Sequence, residues 1–221
     1  MLLHYYGHDL FTLTLADGTV ILTDPYENFY NYPNRSLYAD ICTISHHHHD
    51  HDSVGILQGK GEKNLIHIID TDGVHEPKRG IRITGIPSFH DMENGKLRGT
   101  NLIFMIEADG LRIVHLGDLG HTLSPTQIAS IGSPDILLLP VGGFYTIDAK
   151  AAFHVMQSLS PRITIPMHYR TAANPDMPIA PLADFLQLLH ASPEPMPVCR
   201  ITAEDISERP GLIVMTTPEG Y

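Results

Sequence analysis

Residues 46–51 read His-His-His-His-Asp-His, five imidazoles and one carboxylate in six consecutive positions. Neutral imidazole nitrogen and carboxylate oxygen are the donors that zinc, manganese and iron accept. Crowded together without a cation, such groups repel once protonated or lose their hydration without a partner. An expression tag is a terminal, unbroken run, whereas this one is internal and interrupted by Asp50. A solvated polar loop rarely follows directly on an apolar run. Here the preceding residues, Leu37 to Ser45, include Ile41-Cys42-Thr43-Ile44, a composition suited to a buried strand. The histidines begin where that strand ends, which is where α/β folds build their sites. The segment is a metal-binding motif.

The rest of the chain reads as alternating strands and a few helices. Leu2–Tyr6 is strand-like. Phe11–Leu15 and Val20–Thr23 form a hairpin around Ala16-Asp17-Gly18, and its second strand delivers Asp24-Pro25. The Asp-Gly pair suits the positive φ angles of a tight turn. The pattern recurs later. Asn101–Glu107 leads to Ala108-Asp109-Gly110, Leu111–Leu116 follows, and the run ends at Gly117-Asp118. Strand, Ala-Asp-Gly, strand, Asp is thus a faint internal echo of two similar halves. Apolar runs at 65–69, 81–86, 136–139 and 163–166 predict further buried strands, and Val198–Ile201 a last one. Ser124-Pro125 predicts a cap and first turn for a helix over 126–131. Asp148 caps a helix over 149–159, and a third helix is expected over 181–190. No low-complexity linker interrupts the pattern, so residues 1–221 are expected to form one domain.

Composition narrows the function. With 14 Lys plus Arg against 25 Asp plus Glu, the formal charge is −11. Nucleic acid and anionic membrane surfaces are therefore disfavoured as partners, because counterion release needs clustered basic residues. No apolar stretch reaches the length of a membrane span. The amino end lacks a signal-peptide pattern, and the two cysteines, Cys42 and Cys199, fall in strand-like core positions. Free thiols in a reducing cytoplasm are the expectation.

A cluster built on His46, His48, Asp50 and His51 needs further ligands. Three candidates stand at strand ends: His90, Asp118 and His168. In this order the residues resemble the ligand set of the metallo-β-lactamase superfamily. The match is closer to its small metal-dependent hydrolases, which include ascorbate-6-phosphate lactonase-like proteins. Gly7-His8, Asp24-Pro25, Gly117-Asp118, Pro140-Val141-Gly142-Gly143 and Pro166-Met167-His168 all resemble that branch, and Ser45 stands where many relatives carry Thr. The resemblance implies an α/β fold, a four-layer αββα sandwich with a dinuclear metal site at one edge. It further implies that His46, His48 and His90 hold one ion, Asp50, His51 and His168 the second, with Asp118 bridging. Two divalent ions are expected, zinc first, with manganese or iron accepted by the same nitrogen and oxygen donors.

The implied reaction is hydrolysis of a small ester, lactone or phosphoester by water activated between the ions, with Asp50 as the catalytic carboxylate that orients it. A phosphodiesterase or nuclease and a non-catalytic metal-bound sensor are the alternatives. A small molecule is the expected partner, and self-association is left open. Around the ligands, His8, Asp24, His121 and Tyr145 are placed either behind the imidazoles or in the substrate pocket, and His115 as a packed strand residue. His67, His75, His154 and His190 have no ligand context. His47 and His49 alternate with the ligands and are expected to face away. That alternation is testable. His48→Ala should remove metal and abolish activity, while His47→Ala should keep the metal and lose at most about tenfold in rate, or about 1.4 kcal/mol. Equal loss of metal from both variants, measured by elemental analysis, would place the register one residue off.

Overall fold

The computed structural model describes residues 1–59 and 65–220. Its early strands are β1 (Leu2–Tyr5), β2 (Phe11–Thr14), β3 (Val20–Thr23), β4 (Leu37–Tyr38), β5 (Ile41–Thr43), β6 (Leu57–Gln58) and β7 (His67–Ile69). Then come β8 (Gly73–Lys78), β9 (Ile81–Phe89), β10 (Thr100–Ala108), β11 (Leu111–His115), β12 (Ile136–Pro140), β13 (Ile163–Met167) and β14 (Val198–Arg200). The helices are α1 (Pro125–Ile131), α2 (Ala149–Leu159) and α3 (Leu182–Leu188).

Two six-stranded sheets carry the fold, in the orders β14-β1-β2-β3-β5-β7 and β8-β9-β10-β11-β12-β13. Their strand senses match position for position. In the first, β14, β1, β2 and β3 pair antiparallel, and β5 and β7 follow in parallel. In the second, β8 to β11 pair antiparallel, and β12 and β13 follow in parallel. The echo in the sequence is therefore a repeat of topology, with the two Asp-Gly hairpins at equivalent places. Their turns also touch, since Asp109 Oδ2 accepts the Ala16 N–H at 2.8 Å.

Alternation along the strands separates two apolar layers. Ile21 and Ile41 join the large core with Leu3, Phe11, Ile83 and Phe104 of both sheets. One residue on, Leu22 and Cys42 face outward and are covered by Tyr26, Phe29 and Tyr32. On the far face of the second sheet, α2 packs on β12 and touches both other helices. The molecule is thus a four-layer α/β sandwich, but its two outer layers differ. Over the second sheet the layer is helical. Over the first, among the described residues, it has no α-helix and is irregular chain with the short β4–β6 pair and a 3-10 turn at Val54–Ile56. Pro25, Asn28, Asn31, Pro33 and Asn34 disfavour helix there, and the aromatic side chains cover the sheet instead.

The capping signals act as read. The Ser124 hydroxyl accepts from Gln127 N, and Gln127 reaches back to Ser124 N at 3.0 Å. Asp148 Oδ1 accepts from Ala151 N at 2.8 Å. Elsewhere the structure corrects the expected boundaries. The run 37–45 splits into β4 and β5 in different sheets, because the Asp40 carboxylate between them binds Val20 N at 2.8 Å. The expected strand over 65–69 is shorter, and Leu65 and Ile68 are 71 % and 44 % exposed because β7 is a sheet edge. Residues 60–64 just before it lie outside the described ones. The third helix stops early, since His190 turns left-handed at φ 47°. Strand β8 gave no sequence signal because it contains Pro77, tolerated at an edge where the register slips between His75 and Lys78.

Leu138, fully buried in β12 between β11 and β13, tests the core. Leu138→Ala is expected to cost about 2–5 kcal/mol. The same change at exposed Leu65 should stay within about 0.5 kcal/mol. Urea midpoints at unchanged slope measure both.

Candidate metal centre

Strand ends converge on one edge of the sandwich. His46 follows β5, His90 follows β9, Asp118 follows β11 and His168 follows β13. The histidine run itself is not extended. The His51 N–H closes on the His48 carbonyl at 2.9 Å, so residues 48–51 form a turn. This turn, rather than strand pleating, sorts the side chains. His51 and His46 are buried, Asp50 is half-buried and His48 is exposed at the rim. His47 and His49 are 62 % and 83 % exposed, and His47 faces Asp52 and Asp70 at 3.4 and 3.6 Å.

Asp118 lies at the centre. Its Oδ2 is 3.1 Å from His90 Nε2, 3.6 Å from His51 Nε2 and 4.0 Å from His46 Nε2, and its Oδ1 is 3.4 Å from His168 Nε2. Asn101 fixes its backbone, accepting the Asp118 N–H at 3.0 Å. Behind the imidazoles stands Asp24. It accepts Ser45 N at Oδ1 (2.7 Å), Ser45 Oγ at Oδ2 (2.6 Å), and faces His51 Nδ1 at 3.1 Å. These bonds set the tautomers. Ser45 gives its only hydroxyl proton to Asp24, so at 2.9 Å it accepts from His46 Nδ1–H. The lone pair of His46 then lies on Nε2, toward Asp118. By the same logic His51, donating from Nδ1, offers Nε2.

The donors are poised for a cation. Among the described residues, His46 Nε2, His168 Nε2 and Asp118 Oδ1 are buried with no hydrogen-bond partner. Buried orphans of this kind are rare and costly. One donor atom each from His46, His48 and His90 lie within 4.8 Å of one another, as do those of His46, His51 and Asp118, and of His8, Asp9, His51 and His168. All are nitrogen or oxygen, and both thiols are buried elsewhere. A divalent cation fits this donor set.

The electrostatics follow. Burial opposes charge on Asp118, but His168 and His51 hold its carboxyl well below the usual range. Burial likewise opposes charge on His168, yet Asp118 and Asp9 raise it to about 9. His46 is pushed far down by burial and by His51, and stays neutral.

His8 corrects the expectation that it stands behind the ligands. Its Nε2 enters the donor cluster, 3.1 Å from His51 Nε2 and 3.3 Å from Asp50 Oδ2. Burial and the neighbouring His168 lower it to about 4. Asp50 belongs to none of the three donor groups, its Oδ2 being 3.9 Å from His51 Nε2. His121 takes a supporting place. Its Nε2 accepts Phe89 N at 3.1 Å and its Nδ1 faces Thr122 O at 2.8 Å, so it clamps two backbone segments instead of facing substrate. Tyr145 does line the cavity above the cluster. His115 is packed away, Nδ1 accepting Gly117 N at 3.2 Å and Nε2 facing Asp9 O at 3.1 Å.

Two residues escaped the sequence reading. Asp9 is fully buried, neither of its carboxyl oxygens has a hydrogen-bond partner among the described residues, and its Oδ2 is 3.7 Å from His8 Nε2. Asp91 is buried beside His90 and accepts four backbone amides. Each follows a flagged histidine directly, a signal that scanning strand ends passed over. Backbone constraints crowd the same edge. His8, Asp24 and His168 are left-handed at φ 55°, 41° and 50°, each costing about 1–3 kcal/mol. A Cβ at Gly120 would stand 2.2 Å from the His90 carbonyl carbon, and one at Gly142 2.2 Å from the His168 oxygen.

Paired β-sheets with helices outside and a His/Asp cluster at the strand ends define a protein of the metallo-β-lactamase fold. The chain belongs to the β-lactamase superfamily domain family, whose profile matches residues 2–168. It is 30% identical over 190 residues to a UPF0173 metal-dependent hydrolase of Thermoplasma acidophilum, covering 76% of this chain and 82% of that one. Among solved structures, a candidate zinc-dependent hydrolase of the superfamily from Thermotoga maritima is 33% identical, with TM-score 0.76 over 97% of each chain. Igni18, a metallo hydrolase from Ignicoccus hospitalis, shares the fold at 22% identity, with TM-score 0.68 over 100% of this chain and 96% of its own.

Filling the cluster should stabilise the fold, because a cation bound to the native state alone acts by mass action. Adding zinc or manganese to chelator-stripped protein is expected to raise Tm by several degrees. Identical melting curves at verified full and zero metal content would contradict this.

Proposed function

We propose that the protein is a metal-dependent hydrolase of a small ester, lactone or phosphoester. In this reading His46, His48 and His90 would hold one divalent ion and Asp50, His51 and His168 a second, with Asp118 serving both. The observation that carries it is the set of buried, unpaired donor atoms around Asp118. The names of the relatives, metal-dependent hydrolases and a candidate zinc-dependent one, support hydrolysis and put zinc first. Ions bound there would supply Lewis acidity toward a carbonyl or phosphoryl oxygen and a water acidified toward neutrality.

The protein's own groups have separate tasks. Asp50 orients the attacking water at its carboxylate. Burial opposes its charge, but His8 and His51 hold its carboxyl far below the ordinary range. A carboxylate that stays ionised orients better than it abstracts a proton. His8 Nε2, 3.3 Å away, fixes the direction of that carboxylate. The cavity over the cluster, about 610 Å³, suits a small molecule. A larger groove of about 870 Å³ lies at the opposite sheet end, lined by Lys78, Arg82, Glu107 and Arg112 and by none of the site residues.

The whole chain acts as one domain in this reading. The Met1 amino group donates to Ile201 O at 3.0 Å, and β14 pairs with β1. Free buried thiols support a cytoplasmic setting. No helix among the described residues is long and apolar enough to cross a membrane.

Turnover of aryl ester, lactone and aryl phosphodiester substrates, with and without metal, tests the reading. Asp118→Asn keeps the size of the side chain and removes its charge. Metal content should fall from about two per chain toward one, and turnover should fall by roughly 10² or more. Full metal content with near wild-type turnover would refute the role given to Asp118.

A further inference from the structure

Between His90 and Gly99 the chain forms a loop built on Asp91. Asp91 Oδ1 accepts Glu93 N (2.7 Å) and Gly95 N (2.9 Å), and Oδ2 accepts Leu97 N (2.9 Å) and Arg98 N (2.7 Å). The loop closes through His90 N to Gly99 O at 3.1 Å. Charge-assisted bonds of this kind are among the stronger ones, so the backbone of Arg98 is fixed relative to His90.

The side chain of Arg98 is held as well. Its guanidinium carbon lies 5.7 Å from the Tyr145 ring centroid and 6.0 Å from that of Phe144, within cation–π range. Among the described residues no salt bridge engages it, whereas Arg112, Arg162 and Arg209 are bound to carboxylates. Arg98 lines the cavity over the metal centre with His48, Asp50 and His90, and among the described residues it is the sole Lys or Arg to do so. Phe29, Tyr30 and Met177 supply apolar wall in the same cavity. In a chain of formal charge −11, a preorganised cation with no acid partner among the described residues, at a site mouth, is a recognition element.

We propose that Arg98 determines substrate class: the cavity takes small organic anions, with a carboxylate or phosphate group on Arg98 and an apolar body against the aromatic wall. The proposal rests on the hydrolase reading for the reacting bond, while the anion contact itself does not need turnover. Guanidinium matches both oxyanions in two-point geometry, which lysine does not.

The test uses the metal-loaded full chain, with wild type, Arg98→Gln and Arg98→Lys checked for equal metal content and melting. Calorimetry with benzoate, phenylphosphonate and neutral benzamide reads binding, and 4-nitrophenyl hemisuccinate against its methyl ester reads turnover. Arg98→Gln is expected to lose about tenfold more on the anionic members of each pair than on the neutral ones, chiefly in Kd and KM, or about 1.4 kcal/mol. Arg98→Lys should recover only part. Benzoate against phenylphosphonate tells a carboxylate from a phosphate site. Equal losses on charged and neutral probes would assign Arg98 to packing on the rings and overturn the proposal. Arg98-dependent binding without turnover of either ester would leave the proposal standing and count against the hydrolase reading instead.

Discussion

His51 is held between two carboxylates, Asp24 at Nδ1 (3.1 Å) and Asp118 at Nε2 (3.6 Å), and much of the molecule depends on that arrangement. Each aspartate ends the second strand of an Asp-Gly hairpin, one in each sheet. The imidazole therefore joins the two topologically equivalent halves at their common edge. Burial alone would disfavour its charge, yet the two aspartates raise its pKa well above the usual value. The charge on His51 is thus matched by a carboxylate on each side of its ring.

That cluster is also strained. Three of its residues are left-handed without being glycine, and two glycines let the backbone pass within contact of His90 and His168. Strain concentrated at one edge, with polar atoms left unpaired, marks a place shaped for a ligand and not for stability. The surrounding sheets bear the cost through a core in which Leu138, Ile113 and Phe104 are fully buried.

Much of this was legible in the chain. The Asp-Gly hairpins, the capped helices and the donor residues at strand ends all depend on local chemistry, which a sequence displays directly. Where the reading erred, the deciding contact was remote. The run 37–45 looks continuous until Asp40 is seen to bind Val20 in the next strand. His121 looks available until Phe89 N occupies its ring. Asp9 and Asp91 sit directly after His8 and His90, but only the packing around them shows that they are buried.

The sequence by itself determined which donors exist and that they cluster near strand ends, because motif spacing and hairpin chemistry are local properties. Only the tertiary structure decided how they meet. A turn, not a pleat, sorts the histidine run. His8 enters the donor cluster instead of standing behind it, and Arg98 rests on two aromatic rings some 46 positions away in the chain. Those outcomes depend on which faces the two sheets bury against each other, and that is set by the packing of the whole core.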